Sequence, residues 1–409
     1  MRVASSTLYQ QGLASMNYQQ GSLLHIQQQL GTGRSILTPS DDPVGATRAL
    51  GVSQAQAVNG QYVTSRKQAN IALAAEENAL QSVTTVTQNI QTLLVQAGNG
   101  TMSDADRGSL ATALEGLYNQ LAGLANSDDG NGQYLFGGTR SGSAPFTQSK
   151  GPGTYIGDNG QQLLQVDVAR QMPAGNTGRE VFMSVTGGAG YVVKGNANNT
   201  GSATFGTVST TNPSDPDYGL SMQVTFAANA SGQMEYTITD LSAGTTPAPV
   251  VKGPVAYTSP AHIDVAGVSF NVTGDPKDGD TMTMAPASEA GTDMFANLQT
   301  VIDTLRQPTP DSSDRAHLGN VISTATRQFS NSLDNVLTVR ASVGSRMNEL
   351  DALDDVGSNR DLTYSQTLSG LQDLDYAKAI TEYYQRQTAL QGAQQSFMQI
   401  QGMNLFKYL

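Results

Sequence analysis

A pair of half-polar helical stripes, one at each end of the chain, constrains the fold more than any other feature. Near the C-terminus, Ile380, Tyr383, Gln387, Leu390, Gln394, Phe397 and Gln401 alternate steps of three and four residues. That is the spacing of a helix face laid against another helix. Near the N-terminus, Tyr9, Leu13, Met16, Gln20, Leu23, Gln27 and Leu30 repeat the pattern. Glutamine interrupts both stripes where a self-sufficient two-stranded coiled coil carries aliphatic side chains. Such faces are apolar enough to bind and too polar to be stable alone. Burial is worth about 25 cal/mol per Å² of apolar area, and ordering costs about 1–2 kcal/mol per residue, so a pair of such helices is marginal by itself. Residues near 1–40 and 365–409 are therefore expected to become ordered on assembly.

Between the two ends the pattern changes twice. Gly31-Thr32-Gly33 breaks the first helix, and Pro39-Ser40-Asp41-Asp42-Pro43 starts a second, with Asp just ahead of a first-turn Pro. That helix runs to about Gly98 with a stripe at Leu73, Glu76, Leu80, Val83, Thr87, Ile90, Leu94 and Ala97. Ser103 with Asp106 reads as a capping box, followed by the leucine stripe Leu110, Leu114, Leu117, Leu121 and Leu124. Gln133-Tyr134-Leu135-Phe136 reads as a short strand. From about 150 the period falls to two, as in Met222-Val224-Phe226, Met234-Tyr236-Ile238 and Ile263 to Val272, predicting an antiparallel β domain over 150–288. Helical character resumes at Asp293 and follows Ile322, Ala325, Phe329, Ser332, Val336, Val339, Val343, Arg346, Leu350 and Leu353 to a soft joint at Gly357-Ser358-Asn359-Arg360. The predicted fold is mainly α with a β insert. Long terminal helices pair as a bundle or coiled coil, and the antiparallel sheet is hung in the middle. An ordinary four-helix domain with a β insert fits the same pattern.

Composition removes several function classes. A chain of 409 residues has room for two or three domains. Charged residues make up 14%, and the net charge of −12 argues against nucleic-acid binding, which needs clustered Lys and Arg. Without Cys there is neither disulfide nor thiolate metal site. No apolar run is long enough for a signal peptide or a membrane span. The histidines His25, His262 and His317 are scattered, and no metalloprotease, nucleophile-elbow or Walker motif is present. Asp41-Asp42 and Asp354-Asp355 are paired carboxylates read as lying at helix ends, the first pair explained by capping. Asp275 to Asp280 lacks the acidic residue that would close a calcium loop and reads as a β-turn. No catalytic, cofactor-binding or metal residue is nominated, and an enzyme is not expected.

Specific segments then carry a resemblance. Arg2-Val3 with Tyr9-Gln10-Gln11, Thr32-Gly33-Arg34 followed by Pro39 to Pro43, Asp129 to Gly138, Arg340 to Asp351, and Leu374-Asp375-Tyr376-Ala377 are similar to the flagellin family. The Pro-flanked Asp41-Asp42 and the ending Leu405-Phe406-Lys407-Tyr408-Leu409 resemble its hook–filament junction branch more than filament flagellins, although Lys407 stands where members often carry Asp. The resemblance covers about 1–148 and 290–409 and leaves out the β insert. It implies an inner terminal-helix domain from 1–45 with 360–409, a helical rod from 46–149 with 289–359, and a variable β-rich domain at 150–288. It further implies a ring of copies of this chain, with hook-associated protein 1 on the hook side and flagellin on the filament side. Export would run through the flagellar type III apparatus with a cytoplasmic chaperone, and no membrane insertion is implied. The apolar positions Leu13, Met16, Leu23, Leu30, Ile380, Tyr383, Leu390, Phe397, Ile400 and Leu405 become the candidate subunit contacts. Two other readings remain: a minor flagellin of the filament, and a secreted adhesin whose β insert binds glycans.

Overall fold

The computed structural model describes residues 2–147 and 153–402, with side chains at 2–6, 8 and 400–402 excepted. In chain order the elements are α1 (Arg2–Thr32), α2 (Pro43–Ala97), α3 (Asp104–Ala125), β1 (Leu163–Asp167), β2 (Arg170–Pro173), α4 (Gly178–Phe182), β3 (Tyr191–Gly195), β4 (Thr204–Phe205) and β5 (Ser209–Thr210). They continue with β6 (Met222–Ala228), β7 (Met234–Asp240), β8 (Val250–Ala256), β9 (Ala261–Val265), β10 (Val268–Thr273), β11 (Thr281–Pro286), α5 (Met294–Leu305), α6 (Ser312–Gln372) and α7 (Tyr376–Gly402). The expected mainly-α chain with a central antiparallel sheet region is what forms. Two compact units result: a terminal unit of 1–65 with 351–409, and a body unit of 66–350.

The body unit is built on the stripes read from the sequence. Leu73, Glu76, Leu80, Val83, Thr87, Ile90, Leu94 and Ala97 of α2 are all buried, as are Ile322, Ala325, Phe329, Ser332, Val336, Val339, Val343 and Leu350 of α6. Arg340 of α6 pairs with Glu77 of α2 at 2.5 Å. Ser103 caps α3 through a complete capping box with Asp106, satisfying backbone N–H groups that have no partner within the helix. The leucine stripe of α3 is only partly sealed: Leu114 and Leu121 are buried, whereas Leu110, Leu117 and Leu124 are half-exposed. An aromatic cluster of Phe136, Phe146, Phe182 and Phe295, with ring centroids 4.9–5.8 Å apart, joins the 126–147 loops to α4 and α5.

Period-2 alternation becomes two antiparallel sheets, β3-β11-β6-β7-β8 and β4-β10-β5 with β9 on β10. They share one core containing Met222, Val224, Phe226, Ile238, Ile263, Phe270 and Met284. The Asp275–Asp280 segment is a turn, as read. Asp280 is buried but accepts from the backbone N–H groups of Thr200, Gly201 and Lys277, so its charge is satisfied within the fold.

Three local readings need correction. Gln133–Phe136 is not a strand: only an isolated bridge joins Tyr134 to Asp128. Its backbone groups are taken up by nearby loops instead, with Tyr134 N–H donating to Ser141 O and Leu135 N–H to Ser127 O. Gly357–Arg360 is not a joint, since α6 passes through it unbroken. Gly357 is buried and its carbonyl accepts from the buried Asn59 amide at 2.9 Å, so a tertiary partner overrides weak helix propensity. Asp354-Asp355 consequently lies inside a helix, not at its end. The break falls later, at Asp373–Asp375, where Asp375 accepts from Lys378 N–H to start α7.

Candidate assembly surface

In the terminal unit, α1 and α7 pack antiparallel. Tyr9 meets Phe397 with ring centroids 5.0 Å apart, and Gln27 donates to the Tyr383 hydroxyl at 3.3 Å. Gly12 has no side chain where Phe397 approaches; a Cβ there would sit 3.1 Å from the ring. Tyr9, Gln27, Tyr383 and Phe397 belong to the two stripes and Gly12 flanks Leu13 directly, so the stripes do face one another.

Both ends are tied by short connections. Gly33, at φ +71°, ends α1. Arg34 then bridges Asp373, Ser35 N–H donates to Gln372 O at 2.7 Å, and Leu374 N–H to Gly33 O at 2.9 Å. Asp42 caps α2 through the N–H groups of Val44 and Gly45. Asp41 accepts from the N–H groups of Thr38 and Leu37, the Thr38 bond foremost in holding its carboxyl below the usual range. His25 lies 3.8 Å from Asp41, beside an open groove that also carries Tyr18, Glu382 and Arg386.

The pairing leaves much apolar surface uncovered. Among the described residues of this unit, Ile26, Ala49 and Ala379 are the only buried hydrophobic side chains. Of the candidate contacts, Met16, Leu23, Leu30, Tyr383, Leu390 and Phe397 are partly buried in the α1–α7 pair, while Leu13 and Ile380 are exposed. Ile400 lies in α7 but its side chain is outside the description, and Leu405 is outside the described residues. Tyr18 (67% exposed), Tyr384 (62%) and Leu24 (53%) are apolar groups that the sequence reading did not nominate. Nor did it nominate Ile26 and Ala379, which close the seam. Each lies one position from a nominated residue or stripe glutamine, an offset that a heptad count on a helix of 3.6 residues per turn does not resolve.

The body unit also holds a buried acid with a raised pKa. Glu76 is 1% exposed, and burial, partly offset by Arg346, pushes its carboxyl up to about 7. Both its oxygens accept from Asn176 N–H at 3.2 Å. Arg346 donates to the Asn176 side-chain oxygen and to Pro173 O, while Glu180 accepts from the Asn176 amide and Thr177 N–H. The network fastens the segment 173–180 to α2 and α6. Among the described residues no group of three or more His, Asp or Glu is placed to hold a metal ion, and no helix is long and apolar enough to cross a membrane.

Comparison with known proteins agrees with this architecture. The bacterial flagellin N-terminal helical region matches residues 3–141. Flagellar hook-associated protein 3 of Escherichia coli is 32% identical over 408 residues, spanning 100% of this chain and 99% of the relative. The crystal structure of flagellar hook-associated protein-3 from Legionella pneumophila superposes with a TM-score of 0.70 at 26% identity, covering 78% of this chain and 98% of that one. FlgL of Xanthomonas campestris gives 0.67 at 27% identity, covering 78% and 99%. Paired terminal helices, a central antiparallel sheet region and similarity along the whole sequence together place the chain in the flagellin superfamily, as a member of the flagellar hook-associated protein 3 family.

Proposed function

We propose that this structural protein of the hook–filament junction works by closing a ring of its own copies through the exposed face of the α1–α7 pair. Hook-associated protein 1 lies on the hook side and flagellin on the filament side. The observation that carries this reading is the uncovered apolar surface of Leu13, Tyr18, Leu24, Ile380 and Tyr384 on two helices whose only fully buried apolar side chains, among the described residues, are Ile26 and Ala379. Apolar area left in water by the monomer is free energy available to an assembly. In this arrangement 1–45 with 360–409 form the inner layer, 46–149 with 289–359 the rod, and 150–288 the outer β domain. Leu13, Met16, Leu23, Leu30, Ile380, Tyr383, Leu390, Phe397, Ile400 and Leu405 supply the apolar contacts. The work is mechanical, matching a flexible hook to a stiff filament, and no catalysis is involved. Export through the flagellar type III apparatus with a cytoplasmic chaperone completes the reading.

Deletion tests it. Cells lacking the chain should build hooks and shed unpolymerised flagellin into the medium, and a version ending before Phe397 should not restore filaments. Filaments that persist in the deletion strain would instead make the chain a minor flagellin.

A further inference from the structure

Among the described residues, the body unit contains a cation, Lys194, with no acidic partner. β3, α5 and α6 enclose a pocket of about 200 Å³, lined by Lys194, Asn297, Thr300, His317, Thr324 and Gln328 together with apolar side chains. That volume holds roughly six waters, enough for a short acid or an acidic side chain. The Lys194 ammonium lies beside Gly291, where a Cβ would stand 3.2 Å from Nζ and 3.7 Å from Gln328 Nε2. Burial alone pulls the Lys194 pKa down, and no carboxylate lines the pocket.

The amide and hydroxyl donors of the walls are already engaged. Gln328 Nε2 donates to Ala290 O and Gly291 O, Asn297 Nδ2 to Gly291 O, the Thr300 hydroxyl to Ala296 O and the Thr324 hydroxyl to Val193 O. From β3 the pocket receives Lys194 and from α6 His317, whereas α5 presents only Asn297, Thr300 and Val301. Two basic groups therefore face a small, half-apolar space in a chain whose net charge is −12. A half-buried ammonium without a partner carries a desolvation cost that an anion would relieve, and a charge-assisted bond there is stronger than one in open water.

We propose that this pocket binds a carboxylate, with Lys194 as its counter-ion and His317 as a second donor. The carboxylate is either a free short-chain acid or the Asp or Glu side chain of a neighbouring chain in the assembly. Titration calorimetry of the full chain at fixed ionic strength, with chloride as the balancing anion, compares two probes: malonate and a blocked Gly-Glu-Gly peptide. Saturable binding of malonate alone identifies a free acid, and binding of the peptide alone or of both admits a side chain. In each case Lys194→Met should weaken binding by about tenfold or more and His317→Gln by a smaller factor. In the wild-type chain, acylation of Lys194 by an activated ester, followed by peptide mass spectrometry, should slow in the presence of the binding probe. This second reading holds even if Lys194→Met folds poorly. Absence of saturable binding by both probes, or binding that survives Lys194→Met with Lys194 unprotected, overturns the proposal.

Discussion

The terminal unit and the body unit are made of helices with the same stripe spacing, yet they end in opposite states. In the body, the α2 stripe from Leu73 to Ala97 and the α6 stripe from Ile322 to Leu350 are sealed almost without exception. In the terminal unit, a stripe of the same period on α1 and its counterpart on α7 leave Leu13 and Ile380 exposed, with Ile26 and Ala379 their only buried apolar side chains among the described residues. The difference comes from what fills the stripe and what lies beyond it. Body stripes are mostly aliphatic, their polar members Glu76, Thr87 and Ser332 are buried with hydrogen-bond partners, and α6 is further held to the sheet region through Asn320 and Thr324. Terminal stripes carry glutamine at Gln20, Gln27, Gln387 and Gln394, and in the isolated chain α1 and α7 have chiefly each other. Spacing tells which face of a helix is contacted; composition tells whether one partner is enough.

Core truncation should break the comparison most strongly. Phe329→Ala or Leu80→Ala in the body should cost about 2–5 kcal/mol, read as a shift in the denaturant midpoint. Ile26→Ala should leave the main unfolding transition within about 0.5 kcal/mol while reducing helical circular dichroism, because α1–α7 opens below the global transition. Equal losses from both would mean that the chain unfolds as one cooperative block.

Glu76 gives a test with a pH signature. Its carboxyl is raised from 4.5 to about 7 in the folded body, so the folded state favours the neutral form. The stability this contributes is fully present below about 4.5 and is lost as pH rises to about 7, because the unfolded chain ionises first. Glu76→Gln keeps an acceptor for Asn176 N–H and removes the charge. It should stabilise the body by about 1–3 kcal/mol at pH 8 and by almost nothing at pH 4. A denaturation series across that range checks both size and sign, and a destabilised variant at pH 8 would mean that the ionised carboxylate is needed by Arg346.

The smallest effects belong to the exposed positions. Tyr18→Ala and Leu24→Ala should change monomer stability by no more than about 0.5 kcal/mol, since surface groups contribute little, yet reduce incorporation at the junction in a motility or filament-assembly assay. Gln387→Leu with Gln394→Leu should promote self-association of the free chain, read by sedimentation. A double variant that stays monomeric would show that the glutamines do not hold assembly in check.

Much of this was legible in the sequence. The stripes of α2 and α6 gave most of the body's helical core, Arg346 and Leu353 excepted, because a long amphipathic helix hides only its apolar face. Alternation over Met222–Phe226 and Ile263–Val272 gave strands and their inward sides. Misreadings arose where tertiary partners outweigh local preference. Gly357 lies in a helix because the Asn59 amide meets its carbonyl, and Tyr134 fails to build a strand because Ser141 and Ser127 take its segment's hydrogen bonds. In the terminal unit the stripes of α1 and α7 meet within the chain, and the fully buried apolar positions, Ile26 and Ala379, lie beside the residues the heptad picks.

Hydrogen exchange of the full chain, alone and after assembly on hooks, tests the central contrast most directly. In the free chain, amides of α1 and α7 should exchange roughly a hundredfold faster than those of Leu73–Leu94 and Ile322–Leu350, and assembly should slow them toward the body's rates. Protection of α1 and α7 equal to the body's in the free chain, unchanged on assembly, would contradict the account.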